Sequence, residues 1–172
     1  MKRKEGAKLK GRFDIEVYDK PGGKLISKST CHNVVTNEGL DHTLDVLLHN
    51  DTQTATWYCL MFESDTTPSS TTTYGTPVFT ECTAYDEATR PEYVEAASSS
   101  QSVTNSANKA EFTMNATKTL YGAALVSNNT KGDTAAAGAV MLCAGKFTAS
   151  QPVVSGNVVN LTYTVSAADD GV

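Results

Sequence analysis

The turn KPGGK at residues 20–24 makes the first decision about the fold. Proline presets one backbone angle of a tight turn, and the paired glycines accept the left-handed conformations that close it. Before it, GRFDIEVYD alternates Phe13, Ile15 and Val17 with polar residues, the period-two pattern of a half-buried strand. After it, LISKSTCHNVV reads as the return strand, so residues 12–35 predict a β-hairpin.

The rest of the chain repeats this grammar with one interruption. TWYCLMF is a short, wholly apolar strand, and KAEFTMNA, TLYGAALVS, AVMLCAGKF and NVVNLTYTVSA read as four more, parted by NATK, NNTKGD and VSGN turns. PVFTECTAY and PEYVEAAS are weaker strand candidates, and Glu63 to Thr76 reads as a long, exposed Ser/Thr/Pro-rich loop. The interruption is residues 36–49, the one good helix. Thr36 or Asn37 can cap it, Glu38 favours its positive end, and Leu40, Leu44, Leu47 and Leu48 form an apolar stripe expected to pack on a sheet. Eight or nine strands and one helix predict a mainly β protein. The expected architecture is an antiparallel β-sandwich of Greek-key or jelly-roll type, with one short amphipathic helix and an extended N-terminal arm. The expected division is a basic arm over 1–11 and a single β-sandwich domain over 12–172.

Composition narrows the class. The chain has 172 residues, 40% of them hydrophobic and 19% charged, enough for one core and unlike a disordered chain. No run approaches the ~18 apolar residues that cross a bilayer, so no membrane is expected. The basic start has no apolar segment behind it, and no secretory signal is read there. Cys31, Cys59, Cys82 and Cys143 form no C-x-x-C pair, and three lie in apolar strand-like runs, so buried free thiols and synthesis in a reducing compartment are expected.

The net charge of −5 is unevenly spread: residues 1–30 hold nine Lys/Arg against four Asp/Glu, leaving the remainder at −10. Lys2, Arg3, Lys4, Lys8, Lys10 and Arg12 stand against the single acid Glu5 in the first twelve residues. With no interleaved aromatic and an acidic body, this segment fits docking on an acidic protein surface better than on nucleic acid.

Motifs for catalysis are absent: G-x-S-x-G, the P-loop and G-x-G-x-x-G do not occur. A catalytic carboxylate pair depends on distances that sequence leaves open, although the acids fall mostly in turns. His42, Asp45 and His49 share a helix face, but the i, i+7 histidines would stand roughly 10 Å apart, too far for one ion. They are expected on the outward side of the helix, away from the leucines. Trp57 is expected in the core, and the tyrosine-bearing loops at 74–93 are the one place for an exposed sugar-stacking platform. No cofactor, no metal and no catalytic residue is predicted.

The order of elements resembles a family of small accessory virion proteins of tailed bacteriophages. The resemblance runs through NVVTNEGLDHTLDVLL with its N-x-[VI]-T-N-x-G opening, TWYCLMF, ATRPEYVEA, EFTMNATKTLYGAALVS and GKFTASQPVVSGNVVNLTYTVSA, nearly the whole chain from residue 12 on. It implies a non-enzymatic capsid decoration or cement protein that binds and stabilises the head shell. A neck, collar or tail component, or a fibre module contacting host glycans, is the alternative. It also implies assembly into a symmetric homo-oligomer with the major capsid protein or other virion proteins as partners, after folding in the host bacterial cytoplasm. The basic segment 1–12 lies outside the resemblance; its charge alone makes Lys2, Arg3, Lys4, Lys8, Lys10 and Arg12 the candidate docking groups, a solvated basic tail being the other reading.

Overall fold

A computed structural model describes residues 6–169, which form nine strands and one helix in two antiparallel sheets. β1 (Ala7–Tyr18) and β2 (Leu25–His32) are the predicted hairpin; Gly22, at φ 64, turns the chain in the left-handed region that glycine takes at least cost. β3 (Val34–Val35), helix α1 (Asn37–Leu48) and β4 (Tyr58–Phe62) follow. A long connection leads to β5 (Ser102–Thr104), β6 (Ala110–Thr113), β7 (Lys118–Val126), β8 (Met141–Val153) and β9 (Val158–Asp169).

One sheet runs β2-β1-β9-β5, with β6 also paired to β9; the other runs β3-β8-β7-β4. The last strand therefore returns beside the first, and β1 pairs with β9 from Ala7↔Asp169 to Tyr18↔Val158. Period-two alternation turns Phe13, Ile15 and Val17 inward with Val159, Leu161 and Tyr163, all fully buried. They meet Cys59, Met61, Leu120, Leu125 and Phe147 from the opposite sheet. Phe13 and Tyr163 are cross-strand partners with ring centroids 4.5 Å apart. Each such side chain contributes roughly 1.5–3 kcal/mol of burial, so the sandwich is anchored here. Asn105 fills the gap between β5 and β6 along β9, accepting from the Tyr163 N–H and donating to the Leu161 carbonyl.

The unbroken apolar run of β4 has a structural reason. Cys59 and Met61 face the sandwich core, while Leu60 and Phe62 enter a second core on the outer face of that sheet, with Tyr74, Phe79, Val126 and Met141. The Ser/Thr/Pro-rich connection supplies that cover, so the exposed loop expected from Glu63 to Thr76 is instead packed: Thr72 and Tyr74 are buried. Its hydroxyls satisfy its own backbone, as where Thr72 accepts from Ser69 N–H and Ser64 from Thr80 N–H. The two weaker strand candidates form only isolated bridges, at Glu81, Tyr85 and Glu92, yet those at Glu81 and Glu92 close the free edge of β4. Cys82 N–H donates to the Met61 carbonyl, and Cys59 N–H to the Pro91 carbonyl.

Two expectations need correction. The arm drawn over 1–11 is strand from Ala7 onward, paired to β9 on one side, while β2 reaches only to Arg12. The helix exists where predicted, and Asp45 and His49 face outward as expected, but the leucine stripe is exposed as well. Leu40, Leu44, Leu47 and Leu48 are 40%, 54%, 70% and 83% exposed, and Gly39 is the buried residue. Among the described residues, no helix is long and apolar enough to cross a membrane.

Candidate interaction surface

What holds α1 to the fold is its first turn. Thr36, fully buried, caps the helix by accepting from Gly39 N–H at 2.9 Å and donates its hydroxyl to the Met141 carbonyl. The Glu38 carboxylate accepts from the Tyr74 and Met141 backbone N–H groups, both at 2.9 Å. Gly39 lies against the backbone of Leu142, where no side chain fits. These polar and backbone contacts orient the helix before the leucines can, and the ridge is turned to solvent.

The three histidines do not converge. His32 and His49 are exposed, and Asp45 lies 3.6 Å from His49 Nδ1. His42, expected outside, is half-buried: its Nε2 meets Thr54 Oγ1 at 2.9 Å and its ring stands edge-on to Trp57 at 5.8 Å. Trp57 in turn packs against the main core. No group of three or more His, Cys, Asp or Glu able to hold a metal occurs among the described residues.

The tyrosine-bearing loops offer no platform. Tyr74, Tyr85 and Tyr93 are all buried. A cleft of about 290 Å³ does open beside Tyr74, Phe79, Asp133 and Met141, and Arg90 lines it. Arg90 is itself only 2% exposed, and all five of its N–H donors are used. Nε and Nη2 form a two-pronged pair with Glu81 at 2.9 and 2.7 Å. Nη1 donates to Tyr74 Oη and the Asn128 carbonyl, and Nη2 also to the Asp133 carbonyl. Burial alone would lower the Arg90 pKa; the hydrogen bonds and charge of Glu81 outweigh it and hold the pKa above its ordinary value. This arginine ties three loops together and has no donor left for a ligand. Nothing in the sequence spacing marks Glu81 as the partner of Arg90.

The four cysteines are buried and unpaired. Burial pushes the Cys31 and Cys143 thiols up to about 12 and Cys82 to about 11, and raises Cys59 as well. None is a thiolate nucleophile at neutral pH.

Of the six basic residues expected to dock, Lys2, Arg3 and Lys4 lie outside the described residues. Lys8 and Lys10 are exposed on β1 and take part in no ion pair among the described residues. Arg12 pairs with Asp14 at 2.8 Å on the same strand. The structure thus places three of the six on a strand rather than a free arm. The features that sequence reasoning missed are apolar: the leucine ridge and, at the start of β2, Leu25 and Ile26, which are 38% and 55% exposed.

No protein-family model, no curated protein and no solved structure matches this chain.

Proposed function

We propose that the chain is a non-enzymatic structural protein of a tailed-phage virion, a decoration or cement protein that binds and stabilises the head shell. The observation that carries the assembly role is the exposed leucine ridge on α1. A contiguous apolar surface held out by a rigidly anchored helix is suited to a protein partner. Arg90 is saturated within the fold, burial raises the thiol pKa values, and the loop tyrosines Tyr74, Tyr85 and Tyr93 are buried, so none of these groups is offered to a ligand. The phage setting is supported by the segment pattern from residue 12 onward. Lattice assembly fits such a chain, because repeated copies let modest contacts sum to firm attachment. The partners are then the major capsid protein and further copies of this chain.

The test is the composition and imaging of purified particles made by the genome that encodes the chain. The expected result is a stoichiometric, symmetric set of copies on the outside of the head. A set at the neck or tail would move the assignment to a connector component, and absence from particles would overturn the virion reading.

A further inference from the structure

We infer that copies of this chain associate head to tail, the leucine ridge of α1 on one copy seating on the Leu25/Ile26 patch at the start of β2 on the next. The two surfaces are separated along β8: β2 lies beside its middle, with Ser29 at Thr148, whereas Val35 pairs with Cys143 and the start of α1 with Met141. β2 begins at the hairpin turn carrying the patch, and the chain then runs through Asn33 and β3 directly into α1. The nine steps from Ile26 to Val35, at ~3.3 Å each, place patch and helix at most about 30 Å apart, with the chain crossing from one sheet to the other on the way. One copy cannot cover its own ridge with its own patch, whereas two copies stacked along the strand direction bring one onto the other.

Charge selects this pairing over a two-fold pairing of ridges. α1 exposes Asp41 and Asp45, has no Lys or Arg, and is followed by the exposed Asp51, while Glu38 is spent on the Tyr74 and Met141 N–H groups. Two ridges face to face would set acid against acid, with no cation on either helix. The β2 patch has the opposite character. Lys20, Lys24 and Lys28 surround Leu25 and Ile26, and none of the three takes part in an ion pair among the described residues. Two acids lie near these lysines: Asp19 accepts from the Lys24 N–H at 2.7 Å in the turn, and Glu16, opposite Lys28, is held by Lys109 at 2.6 Å, so three cations stand against one acid free of an ion pair. Apolar meets apolar, and an acidic rim meets a basic one, which favours the correct register and disfavours the two-fold alternative.

The association is heterologous, so it closes into a ring if the rotation between copies permits and otherwise propagates. It also explains why β2, an edge strand with one free side, keeps exposed apolar residues beside its lysines. The inference stands independently of the virion reading, because it concerns only the purified chain.

Sedimentation velocity and native mass spectrometry test it. The wild-type chain is expected to associate with rising concentration. A chain with L47D and L48D loses the ridge, and a chain with I26D, or with K24E and K28E in case the strand change disturbs folding, loses the patch. Each variant alone is expected to be monomeric, with association weakened at least about tenfold. Mixing a ridge variant with a patch variant is expected to restore a 1:1 dimer, because one intact ridge and one intact patch remain. A wild-type chain that stays monomeric at its solubility limit overturns the inference. So does a patch variant that still associates like wild type, or a folded pair of variants that fails to combine.

Discussion

Gly39 packs with its Cα against the backbone of Leu142: a Cβ there would overlap the Leu142 carbonyl and come within 2.8 Å of its Cα. This contact decides which way α1 faces. A backbone obstacle cannot rotate away as a side chain can, so Gly39→Ala is expected to cost about 1–3 kcal/mol of overpacking. The gain in helix propensity, at most ~1 kcal/mol, does not offset it. Leu44→Ala is expected to change stability by less than ~0.5 kcal/mol, as at other surface sites, where a buried stripe would have lost about 2–5 kcal/mol. Urea titration of both variants checks the order, and a larger loss for Leu44→Ala would mean that the ridge is buried.

Arg90 carries the second prediction. Arg90→Met removes the charge that compensates Glu81, which is itself largely buried. Breaking such a pair from one side typically costs about 3–5 kcal/mol. Arg90→Lys keeps the charge but cannot reproduce the two-pronged contact with Glu81 or reach the Tyr74, Asn128 and Asp133 oxygens together. It is therefore expected to fall between wild type and Arg90→Met. Replacing Glu81 and Arg90 together by apolar residues should recover part of the loss, since no charge is then stranded. Chemical denaturation of wild type, Arg90→Met, Glu81→Met and the double replacement measures the coupling, and strict additivity of the two changes would argue against the pair.

The sandwich was legible in the sequence because its signal is local. Phe13, Ile15 and Val17 alternate with polar neighbours, and the KPGGK turn sets their hairpin, so strand existence and facing follow from a few adjacent residues. The helix was legible for the same reason: Thr36 as cap and Glu38 in the first turn are sequence neighbours. Its orientation was not. It depends on Leu142, Met141 and Tyr74, which are far along the chain, and the period of the leucines gives a stripe without saying what the stripe faces. The Arg90 cluster was hidden in the same way. Arg90 and Glu81 are nine residues apart with no periodic relation, and three further acceptors lie on other segments.

The thiols predict how stability depends on pH. Each has an ordinary value near 9, and burial holds Cys82 near 11 and Cys31 and Cys143 near 12. Above pH 9 the unfolded chain releases protons that the folded chain keeps, so the folded state binds more protons and stability falls as pH rises. The contribution of these thiols is complete below pH 9 and is lost progressively up to 11–12, at about 1.4 kcal/mol per pH unit for each thiol in that window. Denaturation midpoints should be level from pH 8 to 9 and decline from pH 9 to 11. Replacing Cys31 and Cys143 by Ala should flatten the decline, and an unchanged slope would mean that other groups set it. Alkylation at neutral pH is expected to be slow in the native state and complete after unfolding.

The basic start of β1 separates stability from docking. Ala7–Lys10 pair with Ser166–Asp169 of β9 and with no strand on the other side. Truncation through residue 10 therefore removes ladder bonds, each worth about 0.5–1.5 kcal/mol net before the entropy of the freed strand is counted. The expected loss is about 1–2 kcal/mol, a fall in Tm of about 2–8 °C for a chain of this size. An arm free of the fold would instead leave Tm unchanged on truncation. Lys8→Gln with Lys10→Gln leaves the strand and its backbone bonds in place, and both side chains are exposed, so Tm should stay within about 1–2 °C of wild type. Binding to an acidic partner surface should weaken in the same variant, and its salt dependence should diminish, because exposed charges are screened over ~8–10 Å near physiological ionic strength. Thermal melts of the two chains, with particle occupancy measured at low and high salt, keep the two roles apart. Full occupancy by the Lys8→Gln, Lys10→Gln chain at both salt concentrations would show that these lysines only solvate the strand.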